Sequence, residues 1–222
     1  MTMLSKLFRY RFTTLLVTLV IMIGVSPLLR ESAYLRIAFN LVLTVIFVAG
    51  LLVVARNKTL AWLATLLAVP MWLYIWSGYF NMNWPQLELV GKVSGIVYFG
   101  LIAGRIIRFV FATRNVTWEV ISAALVGYLL LGTMWGFCYA VIEHNMAGAF
   151  KLPTNAGHGS SSFFYYSFIT LTTVGYGDIT PVSGMARSFS MLEGIVGQCY
   201  MAVLVARLVG LQVAAAERNE QD

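Results

Sequence analysis

The sequence predicts an all-α membrane protein with six membrane-spanning helices and one short re-entrant helix that runs into an irregular loop. Three observations predict it. The 222 residues are 59% hydrophobic and only 11% charged, whereas an ordinary soluble domain carries roughly 25% charged residues. Six apolar stretches approach or exceed the about 20 residues that a helix needs to cross a bilayer. Between the last two lies a shorter apolar piece followed by TLTTVGYGDITP, residues 170–181, in which glycine, threonine and aspartate interrupt the apolar run.

The stretches follow one another at short intervals. They are Phe12 to Leu29, Ile37 to Ala55, Leu60 to Tyr79, Leu87 to Phe111, Trp118 to Ile142 and Ser188 to Leu211. The first lacks an A-x-A-like cleavage site, so it reads as a retained helix and not a signal peptide. The third contains Pro70 and is expected to kink there. Glu88, Lys92, Arg105 and Arg108 interrupt the fourth. Asn57-Lys58-Thr59 marks a tight turn, and Asn81 to Pro85 marks a loop with Trp84 at the membrane interface. The glycosylation patterns at Asn57 and Asn115 fall on the expected cytoplasmic side and read as chance. Ser161 to Thr172, about a dozen residues, is too short to span and reads as re-entrant. Cys138 and Cys199 lie inside apolar runs and are expected as buried thiols, not a disulfide framework.

Counting Lys and Arg with the N-terminus inside gives ten on the cytoplasmic side, among them Lys6, Arg9, Arg56, Arg105, Arg108 and Arg114. Five lie outside: Arg30, Arg36, Lys92, Lys151 and Arg187. This asymmetry predicts cytoplasmic N- and C-termini and accounts for the net charge of +6 without a nucleic-acid partner. Three regions result: a four-helix domain over 1–113, a second domain over 114–211 and a short cytoplasmic tail over 212–222.

Irregular backbone at membrane depth is tolerated only where it is buried in protein or lines water. Gly175 and Gly177 can adopt positive φ, which lets successive carbonyls point to one side. Four copies around an axis would stack rings of oxygens able to replace the water shell of a cation. With its half-helix and flanking spans, Thr172-Thr173-Val174-Gly175-Tyr176-Gly177-Asp178 resembles the pore module of the potassium-channel superfamily, over about Trp118 to Gly210. The resemblance implies an outer helix, a pore helix, a selectivity filter and an inner helix in a homotetramer of a bacterial inner membrane. It implies K⁺ coordination by the carbonyls of Thr173, Val174, Gly175 and Tyr176 and the Thr173 hydroxyl, with Gly177 completing the filter. Thr172, Asp178, Tyr165 and Tyr166 would support the filter, the Tyr176 ring turning towards Tyr165 and Tyr166. Where many relatives carry a pore-helix carboxylate, this chain has Ile169.

On the last span, Gly197 matches the glycine at which inner helices of this superfamily bend, and Gly194 lies one turn before it. Close helix packing is an equal explanation for both. Gln198, Met201 and Val205 fall at cavity-lining positions. Glu193, an acid inside a span, is a functional candidate by default and is expected near Thr170 or Ser167 as a strut behind the pore helix.

Six spans also resemble the voltage-gated architecture, whose fourth helix repeats arginine at every third position. Here Lys92 is followed by Arg105 and Arg108 with no charge from Val93 to Gly104, whereas steep voltage dependence needs about three to four gating charges per subunit. A voltage-sensor-like domain with little or no sensing is therefore expected. Arg105, Arg108 and Arg114 would meet anionic lipid, and an unidentified regulatory partner is left open. His144 and His158 read as ordinary outer-loop residues. No cofactor is expected beyond the permeant ion, and no catalytic constellation is visible. A weakly selective cation channel is the alternative within the class. A secondary transporter, the alternative outside it, would show repeated halves.

Overall fold

Long runs of Leu, Ile, Val and Ala with few breakers favour helix almost throughout. The computed structural model describes residues 11–25, 33–55, 57–77, 85–113, 115–153 and 160–219. The helices are α1 (Arg11–Val25), α2 (Ala33–Val54), α3 (Lys58–Ser77), α4 (Pro85–Ala112), α5 (Trp118–Asn145), α6 (Ser160–Leu171) and α7 (Gly184–Asn219). Two-residue strands β1 (Phe150–Lys151) and β2 (Thr180–Pro181) pair antiparallel. Lys6, Arg9, Arg30, Arg56, Trp84, Arg114 and His158 lie outside the described residues.

Among the described residues, four helices are long and apolar enough to cross a membrane: α3, α4, α5 and the Gly184–Val213 part of α7. The first two expected spans are helical but shorter in their apolar parts, Phe12–Gly24 and Asn40–Val54. The expected first span reaches into residues 26–29, which are not described. The last helix runs past the expected boundary at 211 through Asn219, because Ala214-Ala215-Ala216 are strong helix formers. Pro70 lies inside α3 without ending it. Asn57 caps α3, its Oδ1 accepting from the amides of Thr59 (3.1 Å) and Leu60 (3.3 Å). Thr117 caps α5 through an acceptor contact with Val120 N at 3.4 Å.

One hydrophobic core joins the two expected domains. Helix α4 packs against both α3 and α5, and α1 against both α2 and α5. A relay of rings joins α2, α4, α5 and α6. Phe47 of α2 meets Phe99 of α4 at 5.7 Å, Phe99 stacks on Phe137 of α5 at 5.8 Å, and Phe137 meets Phe164 of α6 edge-on at 4.8 Å. Tyr98 is fully buried and donates to Phe47 O at 2.7 Å. Helix α6 lies close against α5 because Gly132 and Gly136 leave seats for Phe168 and Phe164; a Cβ there would stand 2.6 and 2.4 Å from those rings.

The outer loop expected between α5 and α6 begins with ordered backbone contacts. Glu143 accepts from Gly148 N (2.8 Å) and Phe150 N (3.1 Å), and Ala149 O accepts from Val182 N (2.8 Å) and Ser183 N (3.1 Å). Backbone pairing thus ties the start of this loop to the segment after residue 178. His144 belongs to the last turn of α5, not to the loop, and its Nδ1 stands 3.7 Å from the Glu88 carboxylate.

Candidate functional site

The last four carbonyls of any helix lack intrahelical partners, and in α6 all four are engaged. Phe168 O accepts from Thr172 N (3.0 Å) and Thr172 Oγ1 (2.6 Å). Ile169 O accepts from Gly175 N at 3.1 Å, and Thr170 O from Thr173 N at 3.0 Å. Leu171 O accepts from the Tyr128 hydroxyl of α5 at 2.9 Å. The loop is therefore hung from the helix end by three of these carbonyls.

Within the loop, φ is +60° at Thr173, +52° at Gly175 and +79° at Gly177. Alternating left-handed residues with residues of ordinary sign turns successive peptides alike, so amides gather on one side and carbonyls on the other. Glycine adopts this conformation readily. Thr173 is β-branched and does so at a cost of about 1–3 kcal/mol. No side chain or backbone lies near a Cβ built on Gly175 or Gly177, so backbone conformation, not space, requires glycine there. Residues 172–178 are exposed in the single chain, Tyr176 to 73%.

The supporting residues divide between two sides. The Tyr165 hydroxyl lies beside the Asp178 carboxylate, which accepts from Ile179 N at 3.0 Å. Tyr166 turns away from Tyr176, since neighbours in a helix point about 100° apart. Its hydroxyl bonds Ser190 Oγ at 2.7 Å and its ring packs on Tyr139 and Phe150. Glu193 is 0% exposed, and the hydroxyls of Ser167 and Tyr139 stand within hydrogen-bond reach of its two oxygens. Of the two hydroxyls expected near it, only Ser167 makes that contact; Thr170 donates to Tyr166 O at 2.8 Å.

On α7, a Cβ at Gly197 would stand 2.5 Å from Leu171 O, whereas nothing lies within 4 Å of one at Gly194. Gly197 therefore has a packing function in this conformation. Gln198 Nε2 reaches Thr173 Oγ1 at 3.5 Å. Met201 and Val205 are exposed in the single chain. Cys138 is half-buried and Cys199 exposed, both as free thiols, so burial does not extend to Cys199.

Residues that carry contacts here without having been singled out are Tyr128, Glu143 and Arg207. A tyrosine inside a span needs a partner for its hydroxyl, and that signal was available for Tyr128. Arg207, one of the ten Lys and Arg residues counted on the cytoplasmic side, reaches back to the end of α4.

A half-length helix, a loop of aligned carbonyls hung from its end and a long apolar helix on either side make up an ion-channel domain in a multi-pass membrane protein. Residues 120–212 match the family described as "Ion channel". The chain is 31% identical over 85 residues to "Two pore potassium channel c" of Oryza sativa subsp. japonica, covering 38% of this chain and 17% of that protein. It is 30% identical over 103 residues to "Protein LctB" of Bacillus caldotenax, covering 44% of this chain and 76% of the relative. With "Protein LctB" of Geobacillus stearothermophilus it shares 33% over 88 residues, 37% of this chain and 63% of the relative. No solved structure matches. The chain belongs to the potassium channel superfamily.

Proposed function

We propose that the protein is a potassium-selective channel in which four copies surround one pore and residues 173–177 form the filter. The observation that carries this reading is the alternation of positive φ at Thr173, Gly175 and Gly177 in a loop fastened to the end of α6. Carbonyls of Thr173, Val174, Gly175 and Tyr176, with the Thr173 hydroxyl, then replace the hydration shell of K⁺. A ring needs four such loops, and one chain supplies one. The exposed apolar side chains of α7, including Met191, Leu192, Ile195 and Val203, supply the face on which copies meet. Gln198 stands at the inner mouth of the filter beside Thr173, with Met201 and Val205 along the cavity.

The four-helix region does little voltage sensing. Lys92 is buried and pairs with Glu88 on its own helix at 2.6 Å, so this pair moves no net charge when α4 moves. Arg105 and Arg108 are exposed, facing anionic lipid of the inner leaflet; Arg114 extends the same basic group. Both termini are cytoplasmic, in a bacterial inner membrane. The reading is tested by reconstituting the chain in liposomes under a K⁺ gradient. Potassium flux well above sodium flux is expected. Equal fluxes would make it a weakly selective cation pore, and no flux would remove the channel reading.

A further inference from the structure

With a potassium filter at 173–177 as proposed above, we propose that Tyr128 of α5 is a positioning residue for that filter, holding the carbonyl of Leu171 and so fixing where the filter begins. Three of the four terminal carbonyls of α6 are taken by the loop's own amides, which move with the loop. Leu171 O is different: the donor that reaches it, Tyr128 Oη at 2.9 Å, comes from another helix. The same carbonyl bears on α7, where a Cβ at Gly197 would come within 2.5 Å of it. Leu171 is itself fully buried. One peptide is thus held from α5 and from α7, two residues before Thr173, the first residue of the filter with positive φ.

The tyrosine is held in turn. Its ring lies 5.6 Å from that of Tyr200 on α7. The Tyr200 hydroxyl donates to Ala124 O at 2.6 Å, one turn before Tyr128 on α5, and the close approach of Tyr200 to Gly127 leaves only 3.0 Å for a Cβ there. The ring of Tyr128 thus packs on α7 through the Tyr200 ring, which Tyr200→Phe retains, and its own hydroxyl acts on the backbone that feeds the filter. Without that bond the Leu171 peptide can rotate, and rotation there passes through Thr172 to the strained φ of Thr173.

Tyr128→Phe removes the hydroxyl and leaves the ring packing. Tyr200→Phe is the control, since it removes a hydroxyl from the same junction that bonds only to α5. Both are measured as full-length tetramers in liposomes for the K⁺/Na⁺ flux ratio. Both are also measured in detergent for amide hydrogen exchange over residues 172–175. In Tyr128→Phe the flux ratio is expected to fall roughly threefold to tenfold, the factor that corresponds to one lost hydrogen bond, with faster exchange at 172–175 and a melting temperature of the tetramer no lower than that of Tyr200→Phe. Tyr200→Phe should keep the wild-type ratio. A wild-type ratio in Tyr128→Phe overturns the proposal, as does an equal fall in both variants. A wild type that is not potassium-selective removes the potassium-filter reading instead, and the exchange rates then decide: faster exchange in Tyr128→Phe alone supports the positioning role, and unchanged exchange ends it.

Discussion

Arg207 of α7 donates from Nη2 to the carbonyls of Phe111 at 2.6 Å and Thr113 at 2.9 Å, where α4 ends. Helix α4 has no basic residue in its own last turn, so a guanidinium from another helix meets its negative end. The Arg207 side chain also lies over the Phe111 ring, 5.2 Å from its centroid. The proposed inner helix is thereby fastened to the four-helix region. Arg207→Lys keeps the charge but loses the planar fork, and Arg207→Ala loses both. Hydrogen bonds from a charged group contribute about 1.5–3 kcal/mol each, so the alanine variant should melt at a clearly lower temperature, with lysine between. The two variants should also alter open times in single-channel records. Melting curves and open times unchanged in both would leave this tie without consequence.

Ser167 has one hydroxyl proton but faces two acceptors, Gly132 O at 2.6 Å and the Glu193 carboxyl. A protonated Glu193 resolves this count. It donates to Ser167, Ser167 donates to Gly132 O, and Tyr139 donates to the other carboxyl oxygen. Glutamine reproduces that pattern, with its amide nitrogen donating to Ser167 and its oxygen accepting from Tyr139. Glu193→Gln is therefore expected to melt near wild type and conduct normally. Glu193→Ala strands buried hydroxyls at a cost of about 1–3 kcal/mol each and should lower the melting temperature and the yield of assembled protein. A glutamine variant as damaged as the alanine variant would contradict the protonated arrangement.

The parts of this fold that were legible in the sequence are those set by local chemistry. The dozen-residue helix before the loop appears as Ser160–Leu171, because its length and the turn residues after it need no tertiary information. Positive φ was expected at Gly175 and Gly177, since glycine adopts it readily. It was not expected at Thr173, where hydrogen bonds from the end of α6 impose it on a β-branched residue. What distant contacts decide stayed hidden. Tyr166 was expected to face Tyr176, but its position on α6 takes it to Ser190 and Tyr139 instead. Lys92 was counted among the basic residues of the outer side, and only the structure shows it 5% exposed where α4 meets α5, with Ala140 O at 3.5 Å. The tie between Ala149 and residues 182–183 joins segments more than thirty residues apart, and no periodicity announces it.

The two glycines of α7 should behave differently. Gly197→Ala forces a methyl against Leu171 O and is expected to damage folding or conduction whether or not the helix bends there. Gly194→Ala meets open space within the chain and removes about 1 kcal/mol of helix-breaking tendency. If α7 bends at Gly194 when the pore opens, this stiffening should lower open probability while leaving the melting temperature at or above wild type. Single-channel recording beside a melting curve reads both. Unchanged open probability in Gly194→Ala would remove a hinge at that residue.

Voltage should act on this protein weakly. An elementary charge moved across 100 mV gains about 2.3 kcal/mol, so one effective gating charge changes open probability about e-fold for every 25 mV. Steep sensors use about three to four per subunit. In α4 the pair Glu88 and Lys92 is neutral as a unit and is anchored to α5 at the Lys92 end. Arg105 and Arg108 lie near the opposite end and are exposed, already where lipid headgroups and water would meet them. Neither group has a dry path to cross. Currents recorded from planar bilayers at symmetric K⁺ should therefore give a conductance–voltage slope of less than about one effective charge. Lys92→Gln should leave that slope as it is, while loosening the contact between α4 and α5. A slope of about two charges or more would mean that α4 carries its arginines through the field after all.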